Sequence, residues 1–187
     1  MNLFLPNLDL LDAMMAAFTA MADAGFGPNR SRATLLFPPS HVRHSILLDR
    51  PRQETRAIRV QFQSPTELKS NGEVAAPESF RVLFDQIFWR LNRLSALYGS
   101  GELAVDDKTL RKAADSVLSR RIRLDQIEVS RRGTRLWQTH PLGGFVGSVE
   151  YAGDLTAFVP LLHAACFTGV GRHTVWGNGE ISTERLD

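Results

Sequence analysis

The chain has 187 residues, 43% hydrophobic and 22% charged, a balance that fits a folded globular protein of one large or two small domains. Its formal net charge is +2 and its pI about 9.0. That basic lean is almost wholly arginine, because Lys69, Lys108 and Lys112 are the only lysines. Cys166 stands alone, which excludes an internal disulfide and a cysteine-based metal site. No basic leader precedes a long apolar run, so neither a signal peptide nor a membrane span is expected, and the cytoplasm is the expected compartment. Arginine suits phosphate contacts and base stacking, although a high-GC genome would give the same bias.

Asn7 is placed to cap a first helix carrying Leu11, Met14, Phe18 and Met21 at helical spacing, ended by Gly25 and Gly27. A short strand is expected over Ala33 to Phe37, stopped by Pro38 and Pro39. The next segment holds His41, Arg43, His44, Arg50 and Arg52 among few core residues and reads as a linker. From Arg56 the pattern becomes regular. Ile58, Val60 and Phe62 alternate with Arg59, Gln61 and Gln63, which predicts a half-buried strand. Pro77 suits the first position of a helix whose stripe is Phe80, Leu83, Phe84, Ile87, Phe88, Leu91, Leu94 and Tyr98, closed by Gly99.

Asp106 or Asp107 is expected to cap a shorter helix with Leu110, Ala113, Ala114 and Val117. Strands are expected over 122–131 and 144–151, with Gly147 permitting a bulge or a close contact. A helix from Gly153 to Phe167 follows, with Pro160 either bending it or marking its first turn. A final strand is expected over Val175 to Ile181. Without the inserted short helix, 56–187 run strand, helix, strand, strand, helix, strand. That is the order of an α+β ferredoxin-like split βαβ unit.

Between the last helix and strand lie Gly169, Gly171, Gly177 and Gly179, two G-x-G pairs around Arg172, His173 and Thr174. Such a loop can aim a row of amide N–H groups at an anion, with Arg172 and His173 adding charge. It can equally be a tight structural connection. The dinucleotide fingerprint fails because Thr174 stands where its third glycine belongs, and no Gly-Lys-Ser/Thr marks a Walker loop. Arg120, Arg121, Arg123, Arg131, Arg132 and Arg135 form the densest basic stretch, read either as a solvated face or as a phosphate track.

Five segments in this order resemble the CRISPR repeat-processing endoribonucleases, the Cas-six family of RAMP proteins. They are Ala24-Gly25-Phe26-Gly27-Pro28-Asn29-Arg30, Ser64-Pro65-Thr66-Glu67-Leu68-Lys69, Leu142-Gly143-Gly144-Phe145-Val146-Gly147, Tyr151-Ala152-Gly153-Asp154-Leu155, and the glycine loop. The resemblance implies two ferredoxin-like domains in tandem. On that basis 1–39 are a partial first unit, 40–55 a linker and 56–187 the C-terminal RAMP domain. The opening strands and first helix of the family's first domain have no counterpart in 1–39. Either the chain begins late, or its first helix packs on the C-terminal domain, or another chain supplies the missing strands.

The resemblance further implies CRISPR repeat or guide RNA as partner, other Cas effector-complex subunits as companions, and metal-free cleavage without a cofactor. The chemistry is attack of a ribose 2′-hydroxyl on the adjacent phosphorus, with a base, an acid and cations assisting. Gly169, Gly171, Arg172, His173, Thr174, Gly177 and Gly179 would then contact RNA or shape the loop that does, with Lys69 and the arginine stretch as further candidates. His173 is the histidine placed to touch RNA; His41 and His44, beside Arg43, are the remaining catalytic candidates. No metal-ligand spacing is found. Two other readings stay open: a non-catalytic guide-RNA-binding subunit, and a ferredoxin-like module binding a small anion.

Overall fold

In a computed structural model, the described residues are 4, 9–25, 27, 29–49, 53–70, 72–132 and 139–186. The chain divides into two compact units, one up to Ile46 and one from Leu47 onward.

The first unit contains helix α1 (Asp9–Ala24). Its end follows the expected chemistry: Gly25 takes φ +87° and its N–H donates to Met21 O at 3.0 Å. The proposed cap Asn7 lies outside the described residues, as do Phe26 and Pro28. The expected strand over 33–37 does not form; that stretch is irregular and exposed. A strand needs a partner for its ladder, and the turn-forming Pro38-Pro39 pair follows at once.

The second unit is built on a four-stranded antiparallel sheet of β1 (Ala57–Thr66), β4 (Leu118–Ile127), β7 (Gly144–Ala152) and β8 (Ile181–Arg185), in the order β4-β7-β1-β8. Together with α2 (Phe80–Tyr98) and α4 (Val159–Thr168) this is the ferredoxin-like arrangement. Additions decorate it: a hairpin of β2 (Leu68–Ser70) and β3 (Glu73–Ala75), helix α3 (Asp107–Ala114), and a hairpin of β5 (Ser130–Arg132) and β6 (Thr139–Pro141).

Strand alternation decides the faces. Ile58, Val60 and Phe62 of β1 are buried with Val149 and Tyr151 of β7, whereas Gln61 and Gln63 are exposed. The helical stripe Phe80, Leu83, Phe84, Ile87, Phe88 and Leu91 joins the same core with Leu161, Leu162, Ala164 and Ala165 of α4. Each such large side chain contributes roughly 1.5–3 kcal/mol on burial. Phe80 meets Tyr151 and Phe158 edge-on, both with ring centroids 5.0 Å apart, and the Tyr151 hydroxyl donates to Pro77 O. Burial pushes the Tyr151 phenol pKa up.

Several boundaries differ from those the sequence suggests. Helix α2 starts at Phe80 with Ser79 as its N-cap, so Pro77 lies ahead of the helix and its carbonyl serves Tyr151. Tyr98 closes the helix but is exposed, so the buried part of the stripe ends at Leu91. For α3 the cap is Asp106, whose carboxylate accepts from Thr109 N at 3.1 Å. A 3-10 turn over Thr156–Phe158 precedes α4, and Pro160 falls in the first turn of that helix. The last strand begins at Ile181, not Val175. His173, Gly177 and Gly179 all have positive φ, which bends the chain away from any ladder before Ile181. At Gly147, φ is +119° and a Cβ would lie 2.1 Å from Arg123 O, the close approach the sequence suggested.

Candidate nucleic-acid interface

Three of the five sequence segments meet at one end of the sheet. This end is formed by the close of β1, the starts of β7 and β8, and the loop after α4. Ser64 and Pro65 sit where β1 shifts register against β7 between Phe62 and Thr66. That irregularity turns β1 acceptors toward the glycine loop. Gly179 N donates to Pro65 O at 3.1 Å, Arg172 N to Glu67 O at 3.0 Å, and Glu180 N to Ser64 Oγ at 2.9 Å. From the third segment, Leu142 O accepts from Asn178 Nδ2 at 2.9 Å. A Cβ on Gly144 would lie 2.4 Å from Thr66 O.

The glycines divide by role. A Cβ on Gly171 would come 2.3 Å from Glu67 O, and one on Gly179 would come 1.9 Å from Val170 O. Both are sites of close backbone approach. Gly169 is less tight, its nearest atoms 3.2 Å away. At Gly177 nothing lies within 4 Å, and only its φ of +92° asks for glycine. Most loop amides are spent inside the protein: those of Gly169, Val170, Arg172, Trp176, Gly177, Asn178 and Gly179 all donate to carbonyls. The row of amides turned to an anion is therefore shorter than the sequence suggests. Those of Gly171, His173, Thr174 and Val175 have no acceptor among the described residues.

His173 holds the left-handed conformation (φ 61°, ψ 19°) and opens a 3-10 turn over Thr174–Trp176. Its ring stacks on Trp176, with centroids 5.0 Å apart and planes 7° from parallel. Its Nε2 is buried and has no hydrogen-bond partner among the described residues. Val175 and Trp176 are exposed at the loop tip. The Arg172 guanidinium is half exposed and pairs with Glu67 at 2.6 Å. Lys69 lies in β2, next to this pair in sequence, and its carbonyl accepts from Gln86 Nε2 at 2.7 Å. Beneath the loop, Arg90 Nε donates to Thr168 O at 2.6 Å and so caps the C-terminus of α4. Burial pulls the Arg90 pKa down from its ordinary value.

The arginine stretch does not gather at this end. Arg121 and Arg123 stand on the open face of edge strand β4, opposite Glu150 and Ser148 of β7. Arg120 is the extra residue of a bulge between Ser119 and Arg121. Arg121 pairs with Glu150 at 3.3 Å, and Arg59 pairs with Glu150 at 2.8 Å, so this face carries compensated charge. These partners depress the Glu150 pKa, the Arg59 hydrogen bond most of all. Arg131 and Arg132 belong to β5, and Arg135 lies outside the described residues. His41 and His44 fall in the exposed irregular part of the first unit. Among the described residues no group of three or more His, Cys, Asp or Glu could hold a metal ion. No described helix is long and apolar enough to cross a membrane.

A family model described as CRISPR-associated endoribonuclease Cas6 matches residues 60–181, from the middle of β1 through the glycine loop to β8. The chain belongs to the Cas6 family. Its fold is similar to a Cas6 of Thermus thermophilus, at 18% identity and a TM-score of 0.56, over 71% of this chain and 55% of that one. A product complex of that same Cas6 gives 17% identity and a TM-score of 0.52, covering 71% and 52% of the two chains. A partial Cas6-RT-Cas1–Cas2 complex gives 16% and 0.50, covering 70% and 22%. The chain thus spans about half the length of the Thermus Cas6 it resembles, 55% and 52% in the two structures. Curated proteins offer no match to this chain.

The sequence did not reveal several residues at this interface. Glu67 and Asn178 reach it through contacts between distant segments, and Arg90 through a single carbonyl.

Proposed function

We propose that this chain binds the repeat RNA of a CRISPR transcript at the glycine-loop end of its sheet and takes part in processing that RNA. One observation carries the reading: the family match covers two sequence segments that converge on the glycine loop, where the amides of His173, Thr174 and Val175 have no acceptor among the described residues and Arg172 is half exposed. Backbone N–H groups and a guanidinium are suited to phosphate oxygens, and phosphate contacts supply most of the affinity for nucleic acid. Gly169, Gly171, Gly177 and Gly179 act by shaping the loop. Thr174 and His173 present their amides, and Lys69 adds a cation nearby.

In the processing step a 2′-hydroxyl attacks the adjacent phosphorus and the 5′ oxygen departs, leaving a cyclic phosphate. A base accepts the 2′ proton and an acid protonates the leaving oxygen, while Arg172 and the loop amides stabilise the phosphorane. The state of His173 favours a second reading, in which this unit holds the repeat without cutting it. Its ring is stacked on Trp176 and its Nε2 lacks a partner among the described residues, whereas the reaction needs two proton-transfer groups.

A labelled CRISPR repeat and an unrelated hairpin, each incubated with the protein and a chelator, separate these readings. Cutting of the repeat at one site supports processing. Tight selective binding without cutting supports the second reading. Indifference to which RNA is present overturns both.

A further inference from the structure

Beside the glycine loop lies a cleft of about 460 Å³ between β2, the outer side of α2 and Arg111 of α3. Lys69, Asp85, Gln86, Trp89, Arg111 and Arg172 line it. Its charges are unequal. Asp85 is already held by Arg81 at 2.9 Å and by Arg111 at 2.6 Å, and Arg172 by Glu67. Among the described residues the Lys69 ammonium has no partner, so the cleft retains a cation next to the loop.

Trp89 is the unusual member. It stands off the buried stripe of α2 and is 58% exposed, so the core does not account for an indole there. Arg93, which does not line the cleft, lies over the ring, 5.1 Å from its centroid, and so covers one face of the indole and leaves one for a base. An indole, a neighbouring amide and an uncompensated ammonium form the chemistry that holds an unpaired nucleotide. The base stacks, Gln86 Oε1 accepts from its edge while Gln86 Nε2 holds Lys69 O, and the phosphate meets Lys69. A cleft of this volume lies within the ~300–1,000 Å³ of small-ligand sites and has no room for a duplex.

We propose that this cleft takes one unpaired nucleotide of the RNA, with its base stacked on Trp89 and its phosphate at Lys69. The inference rests on RNA being the ligand of the loop, since Gly171 and Arg172 belong to both. It adds a reader of single-stranded RNA beside the phosphate grip of the loop.

The test uses the full chain and a repeat RNA carrying unpaired nucleotides, scanned one at a time with abasic sites. Trp89→Ala and Trp89→Leu are expected to bind the intact RNA roughly 5- to 150-fold more weakly, and Trp89→Phe to recover most of that loss. One abasic position should reproduce the loss in the wild type and add nothing in Trp89→Leu. Thermal unfolding of all three variants checks that the fold is kept. Equal affinities for wild type and Trp89→Leu, or abasic and Trp89 losses that multiply at every position, overturn the nucleotide pocket alone. A wild type that does not prefer the repeat over an unrelated hairpin overturns the RNA reading and the pocket with it.

Discussion

Gly177→Ala and Gly179→Ala should differ sharply, though both glycines sit in one loop at positive φ. At Gly177 (φ +92°) a Cβ meets nothing within 4 Å, so the cost is that of forcing alanine into the left-handed region, about 1 kcal/mol. At Gly179 (φ +74°) the same cost applies, and the Cβ would sit 1.9 Å from Val170 O. That oxygen is backbone, and Val170 cannot withdraw freely, because its N–H donates to Gly179 O at 2.8 Å while Gly179 N donates to Pro65 O at 3.1 Å. Relieving the clash breaks both bonds, each worth about 1 kcal/mol. The total is about 3 kcal/mol for Gly179→Ala against about 1 for Gly177→Ala. For a chain of this size that corresponds to melting temperatures lowered by roughly 6–12 °C and 2–4 °C respectively. Urea denaturation followed by circular dichroism gives both free-energy differences, and a thermal scan gives the two melting temperatures. A Gly179→Ala variant no less stable than Gly177→Ala would refute the claim that backbone packing, not ligand approach, fixes that glycine.

Tyr151→Phe should cost about 1–2 kcal/mol in urea denaturation, since it leaves the buried Pro77 carbonyl without its donor. Burial raises the Tyr151 pKa above its ordinary 10.0, so the native state prefers the neutral phenol. Its contribution is complete below pH 10 and shrinks as pH rises further, a decline Tyr151→Phe should lack in stability measured against pH. Arg90→Met should cost about 1.5–3 kcal/mol by uncapping Thr168 O, with faster amide hydrogen exchange through 169–180 as the local readout.

Local pattern was enough wherever one face of an element is buried. The alternation Ile58, Val60, Phe62 and the stripe from Phe80 to Leu91 both lie in the core as expected. The Gly147 contact and the Asp106 cap were legible for the same reason, being consequences of one residue's own chemistry. Long-range pairing was not legible. That Pro65 and Glu67 carbonyls bind the amides of Gly179 and Arg172 depends on which strand neighbours which, and no spacing in the sequence states it. The β-like run from Val175 misled because two glycines and a left-handed His173 override strand propensity. The arginine stretch looked continuous, yet a bulge at Arg120 and a change of sheet between β4 and β5 disperse it, and Arg121 pairs with Glu150.

The most direct test of the account is the salt dependence of repeat-RNA binding by the wild type and Arg172→Ala. Binding should be weaker in the variant, and the slope of log affinity against log salt, measured between about 50 and 200 mM, should fall in magnitude by about one. An unchanged affinity and slope would contradict the claim that the glycine-loop end of the sheet grips the RNA backbone.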